Sequence, residues 1–181
     1  MAPGRSQPAA ERWATNLLTL AGSLLVAGSA VVHYYLWASQ GYRHIPTIGP
    51  LFIAQAAVGV VLAIGTVALR KLLLVLAELG YALSSAGGLI ISVNFGLFGW
   101  QESMSAPYAG LALGVEFAAA AVLIPAALLL ARRWLTGRKT SAAGLAAASG
   151  TAGKGDAAST TQPAADVTGL AEGPPLGSAG I

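Results

Sequence analysis

The chain has 181 residues, of which 55% are hydrophobic and 9% are charged, with a formal net charge of +3 and no cysteine. Soluble domains carry about 25% Asp, Glu, Lys and Arg, so this composition excludes an ordinary soluble protein. The lack of cysteine in the sequence excludes disulfides, thiol redox chemistry and thiolate ligation of metal or haem. Excess Lys and Arg is expected of membrane topology, and no basic run with interleaved aromatics occurs, so we expect no nucleic-acid partner.

Four segments reach the roughly 20 apolar residues that a bilayer-spanning helix requires. They cover residues 13–38, 48–69, 72–100 and 108–134. Their connections are short, which predicts antiparallel neighbours. The sequence therefore predicts an all-α, polytopic membrane protein with a four-transmembrane up-down helical bundle over residues 13–134, preceded by a short cytoplasmic N-terminus over residues 1–12.

The positions of the basic residues predict the orientation, because Lys and Arg flank the cytoplasmic ends of spans. Arg43 lies on one side of the predicted spans, and nine basic residues lie on the other side: Arg5, Arg12, Arg70, Lys71, Arg132, Arg133, Arg138, Lys139 and Lys154. We expect a protein of the bacterial cell (inner) membrane, in contact with the lipid bilayer, with both termini in the cytoplasm. Arg5, Arg12 and the apolar run from Leu17 also resemble a secretory signal peptide. The run continues to Leu36, which favours an uncleaved anchor.

The C-terminal segment differs in composition from the predicted spans. Of the 42 residues from 140 to 181, 32 are Ala, Gly, Ser, Thr or Pro, and none is aromatic. Such a segment buries too little apolar surface to offset its chain entropy. We expect residues 135–181 to form a flexible, disordered cytoplasmic tail, in which only a short Ala-rich helix around residues 144–149 is compatible with the composition.

Small residues spaced four apart occur in the third and fourth spans. They are Gly80, Ser84, Gly88, Ser92 and Gly96, followed by Gly110 and Gly114. Helices in lipid associate where small residues let their backbones approach. This pattern predicts a close contact between the third and fourth spans, with contacts in a homo-oligomer or with other membrane subunits as the alternative.

Polar and ionisable side chains inside spans are costly and therefore indicate function or interhelical hydrogen bonds. The candidates for a polar or proton site are Glu116, Glu78, His33, Gln55, Asn94 and Tyr81. Helical spacing places Glu78, Tyr81 and Ser85 on one face. His33, Gln55, Asn94 and Glu116 each lie within about three turns of the outer surface, which predicts an outward-facing polar pocket. Proton or ligand exchange and purely structural hydrogen bonding both remain open for these groups.

No catalytic residue and no metal site is predicted. His33 and His44 are the two histidines of the sequence, and His44 lies in a predicted loop. Paired haem ligation needs imidazoles that face each other in a bundle. No phosphate-binding glycine loop or Ser–His–Asp order is present. We expect no cofactor, with a quinone in the polar pocket as the alternative.

The segments His33-Tyr34-Tyr35-Leu36-Trp37 and 41–52 (GYRHIPTIGPLF) resemble the first-loop signature of uncharacterised small four-helix integral membrane proteins of actinobacteria. The segment 96–102 (GLFGWQE) and the Val115-Glu116 pair are similar as well. The resemblance covers roughly residues 13–134 and implies only architecture and membrane localisation. At bundle level the chain also looks like DoxX-type proteins, some of which are associated with quinone-linked oxidation, but no residue motif carries that similarity.

Three functions are compatible with this sequence. The expectation is an accessory or structural subunit that acts through helix contacts, and not an enzyme. The alternatives are a quinone- or proton-linked redox subunit with an outward-facing pocket, and an oligomeric small-solute transporter. Four-span multidrug exporters place an essential carboxylate in the first span, whereas this first span has His33 and no acid.

Overall fold

The protein is all-helical over the residues that the computed structural model describes, 9–155, excluding the side chains of 140 and 145–155. It divides into two compact units, Met1–Gly137 and Arg138–Ile181. The elements are α1 (Ala9–Ser39), a 3-10 helix (Tyr42–His44), α2 (Ile48–Leu69), α3 (Leu72–Phe95) and α4 (Ala109–Gly155). All four α-helices are long and apolar enough to span a membrane. The predicted all-helical class with four membrane-spanning helices is confirmed at this level.

Helix α3 ends earlier than the sequence indicates. The predicted span continued to residue 100, but α3 ends at Phe95 because Gly96 and Gly99 adopt φ values of 76° and 78°. These left-handed conformations, which glycine adopts without steric cost, turn the chain back on itself. An isolated bridge between Leu97 and Trp100 closes the turn. The apolar segment 96–100 is therefore loop.

Helix α4 continues well beyond the predicted end of the fourth span at residue 134. Residues 135–155, assigned to the tail from their composition, are helical, which corrects that assignment. Ala, Leu, Arg and Lys are strong helix formers, and the chain has no proline between Pro125 and Pro163 to end the helix. The rest of the predicted tail, residues 156–181, and the N-terminal residues 1–8 with Arg5 lie outside the described residues.

Helix α1 buries one face along its whole length. Seven buried positions recur in steps of four and three, with Ser23 and Ala30 buried beside them: Thr15, Thr19, Gly22, Val26, Ser29, His33 and Leu36. Most of these residues are small or polar, whereas Leu24 and Val31 of the same helix are exposed. This arrangement is expected in lipid, where close backbone approach and interhelical hydrogen bonds favour association more than apolar burial does.

Two glycines permit the closest helix approaches. A Cβ atom on Gly22 of α1 would lie 2.7 Å from Cγ of the buried Leu123 in α4. A Cβ atom on Gly59 of α2 would lie 2.9 Å from Cβ of Ala30 in α1 and 2.7 Å from the hydroxyl oxygen of Tyr81 in α3. Helix α1 therefore packs closely against both α2 and α4.

The predicted contact along the small-residue ladder of α3 and α4 is wrong at four of its glycines. A Cβ atom on Gly80, Gly88, Gly110 or Gly114 would meet no described atom within 4 Å. Four residues advance a helix by about 400°, so the ladder rotates away from the packed face. The remaining members are not part of a helix contact of this kind: Ser84 is exposed, Ser92 is buried below the loop, and Gly96 lies in the turn after α3.

Arg133 of α4 contacts the start of α1, at the end of the bundle away from the 40–47 and 96–108 loops. One of its guanidinium nitrogens, Nη2, donates to the carbonyl oxygen of Glu11 at 2.8 Å and to Oγ1 of Thr15 at 2.8 Å. Thr15 itself donates to the carbonyl oxygen of Glu11. This contact fixes the first turns of α1 against α4.

Candidate functional site

A cavity of about 320 Å³ lies at the end of the bundle that carries the 40–47 and 96–108 loops. We call it the loop-end cavity. Every membrane-spanning helix contributes to its lining: His33 from α1, Phe52 and Gln55 from α2, Ser85 from α3 and Glu116 from α4. Leu36, Ile48, Leu51 and Leu89 add apolar walls. The cavity thus combines an apolar surface with a few convergent polar groups, as small-molecule sites do.

Three side chains form a hydrogen-bonded cluster at the base of this cavity. The Ser85 hydroxyl contacts Oε1 of Glu116 and lies 3.2 Å from Nε2 of His33. His33 Nε2 and Glu116 Oε1 are 3.9 Å apart. Ser29 of α1 donates a further hydrogen bond to Glu116 Oε1 at 3.4 Å. The cluster therefore connects α1, α3 and α4 through an imidazole, a hydroxyl and a carboxyl group.

The partners of His33 restrict where its protons lie. Nδ1 is 2.8 Å from the carbonyl oxygen of Ser29, which can only accept, so Nδ1 must carry a hydrogen. The single hydroxyl hydrogen of Ser85 points either to Glu116 or to Nε2 of His33. In the first case, with Glu116 ionised, Nε2 donates to Ser85, and His33 and Glu116 are both charged. In the second case Glu116 is protonated, donates to Ser85, and both groups are neutral.

These two arrangements differ by the movement of one proton through the Ser85 hydroxyl. The total charge of the cluster is the same in both. Because a charge change inside a membrane is costly, a transfer that preserves the total charge is the less costly one. The geometry is therefore suited to move a proton between the carboxyl and imidazole groups at the cavity base.

Two polar atoms of the cavity lining lack a hydrogen-bond partner among the described residues. They are Nε2 of Gln55 and Oε2 of Glu116, and both are buried. A buried polar group without a partner costs about 1–3 kcal/mol. A donor on α2 and a carboxyl oxygen on α4 thus lie unpaired on two residues that line the cavity.

Aromatic rings connect the cavity base to the loops. Phe52 lies beside His33, with ring centroids 5.2 Å apart, and stacks on Tyr42 at 4.7 Å. The Tyr42 hydroxyl donates to Oε2 of Glu102 at 2.6 Å, which joins the two loops. Burial of the phenol, together with its hydrogen bond to Glu102 and the charge of that group, raises the pKa of Tyr42 above its usual value. Trp100 donates to the same carboxyl oxygen at 3.4 Å.

The close approach of this loop to α2 depends on Gly49. A Cβ atom at this position would lie 2.8 Å from the carbonyl oxygen of Tyr42 and 2.9 Å from that of Arg43. No side chain fits between helix and loop here. The position of Tyr42 over Phe52 therefore depends on a glycine in the first turn of α2.

Of the six predicted site residues, three line the loop-end cavity: His33, Gln55 and Glu116. Asn94 does not, since its amide is exposed and donates to the carbonyl oxygen of Ile90 in its own helix. It lies two positions from the buried Ser92, and such neighbours occupy nearly opposite faces of a helix. Glu78 and Tyr81 are buried outside the cavity lining, and Glu78 accepts from Ser23 of α1.

The site also contains Ser29, Ser85, Phe52 and Glu102, which were not among the site residues predicted from the sequence. Ser29 could have been found from its place in the four-and-three spacing of α1, one turn before His33. Phe52 gives no such signal, because an aromatic residue in an apolar helix resembles any lipid-facing one. Glu102 belongs to the site only because two loops meet.

Within the part of the chain that the structure describes, no group of three or more His, Cys, Asp or Glu side chains is placed to hold a metal ion. The polar groups that line the cavity are one imidazole, two carboxyl groups, three serine hydroxyls, one phenol, one indole and one amide. No known protein family matches the chain, and neither a curated protein nor a solved structure is significantly similar to it.

Proposed function

We propose that this protein is an accessory membrane subunit that binds the head group of a quinone-type molecule in the loop-end cavity. The observation that carries the proposal is that two residues lining one cavity, Gln55 and Glu116, each have a buried polar atom without a hydrogen-bond partner, Nε2 and Oε2. Ligand sites of this kind measure about 300–1,000 Å³. The cavity, at about 320 Å³, accommodates one small ring system and not a large solute.

The chemistry of a quinone and its reduced form matches these groups. A carbonyl oxygen of the ring accepts from the Gln55 amide, and a ring hydroxyl donates to the Glu116 carboxyl group. Phe52 and Leu89 of the lining contact the ring faces and edges. The apolar tail of such a molecule is compatible with the surrounding lipid, which favours an amphiphile over a sugar or an ion.

The His33–Ser85–Glu116 cluster is a second reason to propose a ligand that gains and loses protons. We infer that it relays one proton without a change in total charge, and the hydrogen-bond partners of His33 support this inference. We infer that the cluster adjusts its protonation to the form of the ligand that is bound. The electrons of any redox reaction come from or go to a partner enzyme.

Binding is tested on the purified protein in detergent with a short-chain benzoquinone and a short-chain naphthoquinone. Trp100 lines the cavity, so a saturable quenching of tryptophan fluorescence is expected, and Trp100→Phe should remove most of it. Gln55→Ala and Glu116→Gln should each weaken binding about 3- to 10-fold, the equivalent of one hydrogen bond.

Two matched variants serve as controls. Asn94→Ala removes an amide that is exposed on the surface of α3, and Glu11→Gln neutralises a carboxyl group outside the cavity lining. Both should bind the quinones as the native protein does. Non-saturable quenching, or equal affinity in all four variants, would contradict the proposal.

We also propose the up-down arrangement in a bacterial cell (inner) membrane, with both termini cytoplasmic. Contacts between Thr15 and Arg133 and between Ser29 and Glu116 support antiparallel α1 and α4. The lack of cysteine in the sequence makes the orientation easy to test. Ser103→Cys should react with a membrane-impermeant maleimide in intact cells, whereas Ala142→Cys should react only after permeabilisation. The reverse pattern would contradict the orientation.

The accessory role is supported by the uncovered glycines of α3 and α4. A neighbouring helix can approach closely at Gly80 and Gly114, where no described atom lies within 4 Å of a Cβ position. We propose that a membrane subunit, either another protein or a second copy of this chain, contacts this surface. Gly114→Leu should release the partner from the detergent-solubilised complex, whereas Val61→Leu, a change at an exposed position of α2, should not. Retention of the partner in Gly114→Leu would count against this role.

A further inference from the structure

A second polar cluster lies apart from the loop-end cavity, around Glu78 of α3. The side chain of Glu78 is 0% exposed. Ser23 of α1 donates to its Oε2 at 3.2 Å, and Thr66 of α2 faces the same carboxyl group. Ser23 and Thr66 are 1% and 0% exposed. Three helices thus contribute one oxygen-bearing side chain each to one fully buried point.

Two oxygens of this cluster make no hydrogen bond of normal distance and angle among the described residues, although the Thr66 hydroxyl lies near the Glu78 carboxyl group. They are Oε1 of Glu78 and Oγ1 of Thr66. The ion pair found in the described part of the chain joins His33 to Glu116, so no basic side chain neutralises Glu78 there. A buried carboxylate with neither a cation nor a full set of donors is strongly unfavourable.

We propose that Glu78, Ser23 and Thr66 form a binding site for one dehydrated sodium ion. Carboxylate and hydroxyl oxygens are the ligands that hard cations bind in proteins, and the cluster contains no nitrogen or sulfur ligand. One carboxylate balances one monovalent charge, whereas a divalent ion would leave an uncompensated charge in the membrane interior. The ion satisfies both unpartnered oxygens at once.

The site holds α1, α2 and α3 together, so sodium is expected to stabilise the protein. A ligand that binds only the folded state raises stability with its concentration. The proposal is independent of the quinone proposal, because none of its three residues lines the loop-end cavity.

The test is thermal unfolding of the purified protein in detergent, at fixed pH and fixed ionic strength, in NaCl, KCl or choline chloride. Tm should rise with sodium concentration and saturate, with a smaller rise in potassium and none in choline. Equilibrium dialysis with radioactive sodium should give one bound ion per chain. Asn94→Ala, which removes an exposed amide and leaves the Glu78 cluster intact, should respond to sodium as the native protein does.

Two variants keep the result decisive. Glu78→Gln removes the charge and should abolish the sodium response. If that variant fails to fold, Thr66→Val gives the answer, because it deletes a hydroxyl that makes no hydrogen bond of normal distance and angle in the described chain and preserves the shape of the side chain. Thr66→Val should fold, should match or exceed the native Tm in choline, and should lose most of the sodium response.

Three outcomes would overturn the proposal. The first is the same Tm in sodium and choline, with a Tm that changes only with pH, which would mean that Glu78 simply takes up a proton. The second is a sodium response that persists in Thr66→Val and in any Glu78→Gln that folds. The third is a native sodium response without a bound ion in dialysis, which would indicate a general salt effect.

Discussion

His33 of α1 and Glu116 of α4 lie with Nε2 and Oε1 3.9 Å apart, and the hydroxyl of Ser85 from α3 bridges them. One hydroxyl group therefore links three helices at the base of the loop-end cavity, where Ser29 of α1 also donates to Glu116. The Ser85 hydroxyl is the path by which a proton can pass from the carboxyl to the imidazole group. Stability and proton movement are thus coupled in the cluster.

Ser85→Ala removes this bridge and should lower the free energy of unfolding by about 1–3 kcal/mol, because both partners lose a buried hydrogen bond. Helical circular dichroism during unfolding in SDS measures it. Ser84→Ala is the matched control, since Ser84 is exposed and donates to the carbonyl oxygen of Tyr81 in its own helix. It should cost less than about 0.5 kcal/mol. Equal costs for the two serines would argue against the bridge.

Gly59→Ala should destabilise the protein by about 1–3 kcal/mol, since the added methyl group would overlap Ala30 and the Tyr81 hydroxyl, both under 3 Å away. Gly80→Ala adds the same group where no described atom lies within 4 Å. It should leave stability unchanged or raise it by up to about 1 kcal/mol through helix propensity. Unfolding in SDS compares the two, and a larger loss in Gly80→Ala would contradict the packing of α1 against α2.

Arg133 and Thr15 should be energetically coupled, because Nη2 of Arg133 donates to Oγ1 of Thr15 at 2.8 Å. A double-mutant cycle with Arg133→Ala and Thr15→Ala should give a coupling free energy of about 1 kcal/mol. Arg132, the exposed neighbour, should give a value near zero with Thr15. Strict additivity for Arg133 and Thr15 would show that this contact contributes nothing to the join of α1 and α4.

Tyr42 should stay protonated where free tyrosine ionises, because burial and Glu102 raise its pKa. The neutral phenol stabilises the folded loops fully below about pH 10, the usual tyrosine pKa, and this contribution is lost as the pH rises through the higher folded value. At about pH 10, Tyr42→Phe should therefore leave the phenolate absorbance of the folded protein unchanged. In denaturant at the same pH, the variant should lack the absorbance of one tyrosine among the five in the sequence. A loss of that size in the folded protein would contradict the Tyr42–Glu102 contact.

Much of the fold could be predicted because each span is a local property of the sequence. The second span was predicted with the bounds that α2 has, Ile48–Leu69, since a charged pair and a loop delimit it sharply. The third was predicted too long, because an apolar run does not show that Gly96 and Gly99 turn the backbone. The fourth was predicted too short, because its apolar segment ends at the membrane surface, whereas residues with high helix propensity continue beyond it.

Three of the six predicted site residues line the cavity, and they could be predicted on the same basis. His33, Gln55 and Glu116 stand out as polar residues in apolar segments, and their depth along the helix follows from the residue count. Asn94 stands out for the same reason but faces away from the cavity. The depth of a residue in the membrane follows from its position along one helix. The direction in which its side chain points depends on the rotation of each helix against its neighbours.

The sequence by itself determined that this chain forms four apolar helices with a few buried polar groups, because the bilayer requires about 20 apolar residues per span and makes each exception conspicuous. Only the tertiary structure decided which of those groups meet. The structure places Glu78 and Glu116 in separate clusters. Glu78 lies with Ser23 and Thr66. Glu116 lies with His33 and Ser85. The reason is that close approach occurs where glycine lets helices touch, at Gly22 and Gly59, and not along the longer ladder of small residues.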